Sequence, residues 1–145
     1  MKTYTVTVDN NGNNAWYSNG KLHREDGPAI EYANGSKSWY INGQLHREDG
    51  PAFEYASGDR EWYIDGKRHR EDGPAIEWSN GDKAWWINGK LHRKDGPAVE
   101  HANGIKVWYL NGQRVDEQDV LNSSQTVEIE GVKYSVAQIK AALKK

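Results

Sequence analysis

The sequence predicts an all-β protein: an elongated, twisted antiparallel meander of β-hairpin repeats, with a short helix as a cap at the C-terminus. Two observations predict this fold. One is a fixed 23-residue period, which is typical of repeat architectures. The other is a pair of Gly-containing turn signals in each period, separated by short strand-like stretches. The residues that mark the period are Trp16, Trp39, Trp62, Trp85 and Trp108; His23, His46, His69 and His92; and Pro28, Pro51, Pro74 and Pro97.

Composition narrows the function classes. The 145 residues fit one domain or one repeat array. Since 19 Lys and Arg nearly balance 21 Asp and Glu, the chain has no broad cationic field for nucleic acid, which is not an expected partner. There is no cysteine, no signal-peptide core and no apolar stretch near the ~20 residues that span a bilayer. We therefore expect a soluble, cytoplasmic protein without membrane insertion.

The array begins and ends with partial copies. The stretch "VTVDNNGNNA" before Trp16 has an Asn11-Gly12 pair in register with Asn34-Gly35. After Trp108 the phrase decays, because "VDEQ" replaces His-Arg-Glu-Asp and no Gly-Pro follows. We assign residues 1–121 to the array, with four copies and a partial copy at each end. Within it no stretch has a helical apolar period.

Each copy contains a tight hairpin. The Asn42-Gly43 pair is the strongest short-range signal for a two-residue type I′ turn, because both central residues need positive φ. This turn places Ile41 opposite Gln44, Tyr40 opposite Leu45, and Trp39 opposite His46. A Glu-Asp-Gly-Pro connection then leads to the next strand.

The second turn of each copy fixes the faces of the sheet. Taking Asn34-Gly35 as another two-residue turn places Ile30 opposite Trp39 and Glu31 opposite Ser38. The sheet would then have a core face and an amphipathic face. The core face would carry Ile30, Tyr32, Trp39, Ile41 and His46, and the amphipathic face Glu31, Ser38, Tyr40, Leu45 and Arg47.

The repeat spacing argues against an enzyme or a metal site. Two strands per copy place equivalent residues about 9 to 10 Å apart, whereas the ligands of one zinc ion lie within about 3 to 4 Å of each other. The histidines therefore cannot share a metal, and no Ser, Thr or Cys recurs beside them as a nucleophile. We expect no catalytic residue, metal or cofactor.

The candidate binding residues are the repeated aromatic and arginine side chains, which are types enriched in binding hot spots. The partner-binding set is Tyr17, Tyr40, Tyr63, Trp86, Tyr109, Arg24, Arg47, Arg70 and Arg93. Structural alternatives exist: each Arg could pair with Asp or Glu of its own or the next copy, and each His could be a neutral ring that donates to a carbonyl or to Asp.

Two other functions stay open. A small anionic ligand, such as a nucleotide or lipid head group, could be held by His and Arg of adjacent copies. The contacts would be His46, His69, Arg47 and Arg70. Alternatively, sheet edges could make the protein a self-associating scaffold.

The pattern Trp-Tyr-x-Asn-Gly-Lys-x-His, followed four residues later by Gly, resembles the MORN repeat over residues 5–114. Arg24 stands where that repeat has Gly, and Gly27-Pro28 replaces its next Gly. This "LHREDGPA" variant resembles repeats of bacterial, bacteriophage and giant-virus proteins. The resemblance implies an elongated sheet that serves as a binding or dimerising scaffold. It also implies a phage or viral protein that binds and inhibits a host defence protein in the host cytoplasm.

Residues 122–145 differ from the array. In "TVEIEGVKY", a turn at Glu130-Gly131 would pair Glu128 with Lys133 and Val127 with Tyr134. Ser135 would then cap a helix, with Gln138 at the capping-box position. Its apolar stripe would be Val136, Ile139 and Leu143. We expect this hairpin and helix to cover the open end of the sheet, or else to dock a partner.

Overall fold

The computed structural model describes residues 2–144 and has the predicted all-β architecture, an antiparallel meander of hairpins with a short C-terminal helix. The strands are β1 (Thr5–Val8), β2 (Asn14–Ser18), β3 (Lys21–Leu22), β4 (Ile30–Glu31), β5 (Lys37–Ser38), β6 (Tyr40–Ile41), β7 (Gln44–Leu45), β8 (Phe53–Glu54), β9 (Arg60–Glu61), β10 (Tyr63–Ile64), β11 (Lys67–Arg68), β12 (Ile76–Glu77), β13 (Lys83–Ala84), β14 (Trp86–Ile87), β15 (Lys90–Leu91), β16 (Val99–Glu100), β17 (Lys106–Leu110), β18 (Gln113–Val115), β19 (Thr126–Ile129) and β20 (Val132–Ser135).

The strands form one long antiparallel sheet and a row of small hairpins beside it. The main sheet has 12 strands in the order β1-β2-β4-β5-β8-β9-β12-β13-β16-β17-β18, with β3 paired to β2. Beside it lie the small hairpins β6–β7, β10–β11 and β14–β15. Backbone bonds join successive hairpins, as from Arg47 N to the Tyr63 carbonyl (3.1 Å) and from Gly66 N to the Leu45 carbonyl (2.9 Å). These hydrogen bonds join each copy to the copies next to it, as in other repeat arrays.

The hairpin turn has the predicted geometry. Asn42 and Gly43 have φ values of 51° and 84°, as a type I′ turn requires. Tyr40 pairs with Leu45 and Ile41 with Gln44, which confirms the predicted register. The positive φ recurs at Asn19, Asp65, Asn88 and Asn111.

The prediction for the second turn was wrong by one residue. Ile30 lies opposite Ser38 and not Trp39, and Glu31 lies opposite Lys37 and not Ser38. The connection is a three-residue loop in which only Gly35 has a positive φ, of 90°, and Tyr32 N donates to the Ser36 carbonyl (2.9 Å). The Asn34 side chain accepts the Ser36 N–H (2.9 Å), which stabilises this wider loop.

This register produces a face with a row of alternating charges. Glu31 pairs with Lys37, Lys37 with Glu54, and Glu54 with Arg60. Opposite charges placed directly across antiparallel strands contribute roughly 0.2 to 1 kcal/mol per pair. The whole row is Glu31, Lys37, Glu54, Arg60, Glu77, Lys83, Glu100 and Lys106.

The predicted division into two faces also changes. Trp39, Ile41 and His46 lie on one side of the sheet, as expected. Arg47 and the Glu-Asp-Gly-Pro loops lie on the same side, which is also the side of the charge row. We call this side the loop face. Ile30 and Tyr32 lie instead with Ser38, Tyr40 and Leu45 on the opposite side, which we call the aromatic face. Its central row is Ile30, Ser38, Phe53, Glu61, Ile76, Ala84, Val99 and Val107.

The core consists of small residues rather than of the tryptophans. The alanine that ends each phrase is fully buried, and its carbonyl accepts the N–H of a tryptophan, as from Trp39 N to Ala52 O (2.8 Å). On the aromatic face Ser38 is also fully buried. The five period-marking tryptophans are only half-buried. A single-layer sheet thus excludes water by placing large side chains over small ones.

An additional helix follows the array. Helix α1 (Glu117–Ser124) begins where we expected no helix and crosses the assigned boundary at residue 121. Asp116 caps it by accepting the Asp119 N–H (2.8 Å). A cleft bounded by Trp108, Val120 and Leu121 shows that α1 lies where the earlier copies have their loops. The lost Gly-Pro removes the break that prevents a helix in those copies.

The C-terminal hairpin and helix follow the prediction. β19 and β20 pair Glu128 with Lys133 and Val127 with Tyr134. Helix α2 (Val136–Leu143) begins with the predicted capping box of Ser135 and Gln138. It has no buried residue, and it packs against α1 and β20 at the end of the array. Among residues 2–144, neither helix has the length and apolar character needed to cross a membrane.

Candidate functional site on the aromatic face

The arginine of each "HREDGPA" phrase is held in an internal clamp. The Arg47 guanidinium lies 4.0 Å from the centroid of the Trp39 ring. Its Nε donates to Asp49 (2.8 Å), and its Nη1 donates to the Pro51 carbonyl (3.2 Å) and to Glu54 (3.1 Å). Arg24, Arg70 and Arg93 repeat the stack and the bonds to Asp and Pro. The arginines therefore pair with carboxylates of their own copy, the structural alternative considered above.

The glycine of the phrase makes room for this clamp. A Cβ atom on Gly50 would lie 2.9 Å from the Arg47 Cζ, closer than side-chain carbons approach. The same contact recurs at Gly27, Gly73 and Gly96. The glycine is thus required by a close approach and not by a positive φ.

The histidine of each phrase ties its copy to the next one. His69 Nδ1 accepts the backbone N–H of Asn88 (3.1 Å), the first turn residue of the following hairpin. His23, His46 and His92 accept the N–H of Asn42, Asp65 and Asn111 in the same way. Accepting at Nδ1 places the proton of the neutral ring on Nε2. At His23, His69 and His92 the predicted donation to a carbonyl or to Asp is thus replaced by acceptance from a backbone amide.

Two histidines differ from this pattern. His46 Nδ1 also lies 2.9 Å from Asp65 Oδ1; His23 Nδ1 lies 3.1 Å from Asn42 Oδ1, but only the oxygen beside His46 belongs to a carboxylate. The pKa of His92 is lowered by burial and by Lys94, which stands where the other copies have Glu. His92 is therefore neutral at pH 7.

The loop face presents carboxylates to solvent. Glu48, Asp49, Glu71 and Asp72 have side chains 84 to 86% exposed. They form the rims of grooves between successive loops, each floored by a tryptophan and an isoleucine. The volumes are about 720, 900 and 850 Å³ in chain order.

The candidate anion-binding residues lie in these grooves. Arg47, His69 and Arg70 line one groove, and His46 lines the preceding groove. Because Arg47 and Arg70 already pair with Asp and Glu, an anion would have to compete with two carboxylates for each guanidinium. This geometry disfavours an anionic ligand.

The predicted tyrosines and arginines lie on opposite faces of the sheet. Tyr40 pairs with Leu45 and Tyr63 with Arg68, and this row continues along the aromatic face. Its members are the half-buried Tyr17, Tyr40, Tyr63, Trp86 and Tyr109. Hence the structure does not bring the whole predicted partner-binding set together.

One copy departs from the repeat in the middle of the aromatic face. Glu61 occupies the position of Ser38 and Ala84, and Arg68 occupies that of Leu45 and Leu91. The two form an ion pair from Arg68 Nε to Glu61 Oε2 (2.9 Å), with the Glu61 side chain only 12% exposed. Sequence analysis missed both residues, although their departure from the 23-residue pattern is visible in the sequence.

Two tyrosines complete this cluster. Tyr63 donates its hydroxyl to Glu61 (2.7 Å), and so does Tyr55 (3.1 Å). Burial, followed by the Glu61 charge, raises the pKa of Tyr55 to about 12. Burial, followed by the hydrogen bond to Glu61, also raises the pKa of Tyr63. Burial opposes the charge of Arg68, but Glu61 outweighs it, and the pKa of Arg68 is raised. All three side chains are therefore protonated hydrogen-bond donors at neutral pH.

A buried donor lies beside the cluster. Trp86 Nε1 is buried, with no hydrogen-bond acceptor in the described part of the chain. The Arg68 Cζ lies 5.3 Å from the centroid of a Trp86 ring and 5.7 Å from that of Tyr63. We define Tyr55, Glu61, Tyr63, Arg68 and Trp86 as the Glu61 cluster. The other copies form the same fold with different residues at the positions of Glu61 and Arg68, so the fold does not require this cluster.

Within residues 2–144 no three His, Asp or Glu side chains are grouped so that they could hold a metal ion. In the comparisons with known proteins, the chain matches no family model and no curated protein sequence.

Proposed function

We propose that the protein is a non-enzymatic protein-binding module that holds its partner on the aromatic face, with the Glu61 cluster at the centre of contact. One observation carries this proposal. The repeated Arg, His, Gly and Ala of the phrase each have a structural role, whereas Glu61 and Arg68 replace residues that serve the fold in the other copies. A partly buried ion pair rarely stabilises a fold more than apolar residues of similar volume do, so a role in recognition accounts for it better.

The surroundings of the cluster support a protein partner. Tyr, Trp and Arg are the residue types that dominate binding hot spots, and here they lie side by side on a single-layer sheet. Tyr55 of the cluster and Trp78, which occupies the equivalent position one copy later, keep more than a third of their surface exposed. Together they form an aromatic surface with polar groups at fixed positions.

The test restores the pattern of the other copies. In the double variant Glu61→Ser and Arg68→Leu, both positions carry the residues found at Ser38 and Leu45. We expect unchanged circular dichroism and an unfolding midpoint close to that of the wild type. Affinity for the protein captured by the wild type from lysate, identified by mass spectrometry and then purified, should fall at least about tenfold.

A matched control lies on the other face. The double variant Glu48→Gln and Glu71→Gln also changes two charged groups, on exposed loop side chains. It should bind like the wild type. If the loop variant loses affinity and the Glu61/Arg68 variant keeps it, the partner binds the loop face and the proposal is wrong.

The inhibition of a host defence protein, and the phage or viral origin, belong to the same proposal and rest on the resemblance of the "LHREDGPA" phrase.

Self-association would appear as a mass that rises with concentration in sedimentation. A nucleotide or lipid-head-group ligand would appear as a thermal shift with either compound.

A further inference from the structure

We propose that Arg68 and Trp86 bind a carboxylate of the partner, from an Asp or Glu side chain flanked by apolar residues. This inference rests on the proposed function and specifies the chemistry of the partner. It depends on which donors of the Glu61 cluster are already used, and on what surrounds them.

Arg68 differs from the clamp arginines in its unused donors. Arg47 donates through both Nε and Nη1 to a carbonyl and two carboxylates. Arg68 donates to Glu61 through Nε and also interacts with the Tyr63 hydroxyl, but in the described residues its two terminal nitrogens have no carboxylate or carbonyl acceptor. Those two nitrogens form an edge of the guanidinium that can donate two hydrogen bonds to one carboxylate in a bidentate pair.

Glu61 orients Arg68 and also accepts hydrogen bonds from two other side chains. The Glu61 carboxylate accepts three hydrogen bonds, from Arg68 and from the hydroxyls of Tyr55 and Tyr63. Two of the three donors are neutral phenols, which help to offset the charge of Glu61. The cluster thus orients the guanidinium, and its terminal nitrogens have no second carboxylate as a partner among the described residues.

Trp86 supplies the second donor. A buried indole N–H without an acceptor is unfavourable for the free protein, because buried polar groups are normally hydrogen-bonded. The neighbouring Arg68 side chain is 36% exposed, so an incoming carboxylate can reach it from solvent. Because the Arg68 Cζ lies 5.3 Å from the centroid of a Trp86 ring, we expect a carboxylate held by Arg68 to accept the Trp86 N–H as well.

The neighbourhood selects the flanking residues of the ligand. Beside the cluster lie Phe53 and the partly exposed Trp78, which offer aromatic contacts, whereas Ile76 is buried in the sheet. The exposed carboxylates of the loops project from the other face of the sheet. An acidic side chain between apolar residues therefore matches the remaining hydrogen-bond donors of the cluster and its aromatic surroundings.

The test uses two peptides that differ only in charge, acetyl-Leu-Asp-Leu-amide and acetyl-Leu-Asn-Leu-amide. Binding is followed through the indole N–H signals of the seven tryptophans in ¹H–¹⁵N spectra of the full chain. The variant Trp86→Tyr, which introduces the residue of the other copies, assigns the Trp86 signal. Titrations run to about 50 mM, because fragments of this size bind weakly.

We expect the Asp peptide to shift the Trp86 signal with saturation and to bind at least about tenfold more tightly than the Asn peptide. The variant Glu61→Ser with Arg68→Leu should abolish this shift. An unshifted Trp86 signal, or equal shifts with both peptides, would overturn the inference. In that case the proposed function still stands if the same variant loses the captured protein, so the two failures are distinguishable.

Discussion

Four groups surround the Arg47 guanidinium: the Trp39 ring, Asp49, the Pro51 carbonyl and Glu54. The clamp joins three distant parts of one copy, namely the first strand, the loop and the strand after the loop. A stacked guanidinium gains about 0.5 to 2 kcal/mol from the ring alone. The Arg in the phrase is therefore a fold-determining residue, which explains why the phrase combines Arg with Asp, Gly and Pro.

Gly50→Ala tests the clamp at its closest contact. The new methyl group would meet the Arg47 guanidinium and displace it from Trp39. We expect a loss of about 1 to 3 kcal/mol in the free energy of unfolding, the usual cost of overpacking. Denaturant unfolding of Gly50→Ala, alone and in an Arg47→Ala background, measures the coupling. Equal costs in both backgrounds would show that the guanidinium does not impose the glycine.

Asp59 and Asp82, at equivalent positions of successive copies, should make the stability of the fold depend on pH. Asp59 accepts the backbone N–H of Ser79 (2.7 Å) and Asp82 that of Ala102 (2.7 Å). These backbone hydrogen bonds are the main cause of the lowered pKa of both carboxyls. A carboxyl with a lower pKa in the folded chain stabilises the fold above its unfolded pKa, and this stabilisation disappears as pH falls through the folded pKa.

We therefore expect the unfolding midpoint in urea to fall below about pH 4, as both carboxyls become protonated. The variant Asp59→Asn with Asp82→Asn keeps the oxygen acceptors, as Asn13 does naturally when it accepts the Ala33 N–H. Its midpoint should decline less steeply than that of the wild type between about pH 5 and 2.5. Identical pH profiles would assign the decline to other groups, such as Asp26 and Asp49 in the arginine clamps.

At the scale of elements, the two C-terminal helices contribute unequally. In α1, Val120 is almost fully buried. In contrast, α2 has no buried residue, and Val127, Ile129 and Val132 of the adjoining hairpin are about half exposed. Stability of the array should therefore depend on α1 and hardly on α2.

Two variants separate these contributions. Val120→Ala should lower the free energy of unfolding of the array by about 1 to 3 kcal/mol, because it leaves a gap beside Trp108. Truncation after Gln125 should change it by less than about 0.5 kcal/mol. Chemical denaturation followed by tryptophan fluorescence measures both. A large loss on truncation would mean that α2 and its hairpin cover the end of the sheet, as we first expected.

Several elements could be predicted because one residue pair determined them locally. Asn42-Gly43 specified a type I′ hairpin, and Ser135 with Gln138 specified the start of α2. Asn34-Gly35 has the same letters but forms a wider loop, because the Asn34 side chain bonds to the backbone of Ser36. Helix α1 displays no apolar period because Val120 and Leu121 are its only apolar residues.

The candidate site was harder to predict than the fold. The tyrosine row follows from strand alternation, but one misplaced turn put Ile30 and Tyr32 on the wrong face. The arginines looked available for binding because their partners, including Glu54, lie up to seven residues away in the chain. Only the comparison of copies against each other isolates Glu61 and Arg68.

For the whole molecule, the copies should behave as interchangeable units. In-frame removal of residues 16–38 joins Ala15 to Trp39 and leaves the period intact. We expect a folded protein with a lower unfolding midpoint and a smaller denaturant m-value, because less surface is buried. Removing residues 16–37 shifts the register by one and should prevent folding of the joined copies. Equal stability of the two deletions would contradict the assigned register.

This interchangeability has an evolutionary consequence for the Glu61 cluster. Unequal recombination between copies would add or delete whole units in frame, and each event would leave every clamp and every histidine contact intact. The cluster would then move along the molecule in steps of about 9 to 10 Å relative to either end. Selection can in this way change the distance between a recognition point and the rest of the protein without altering any contact that folds it.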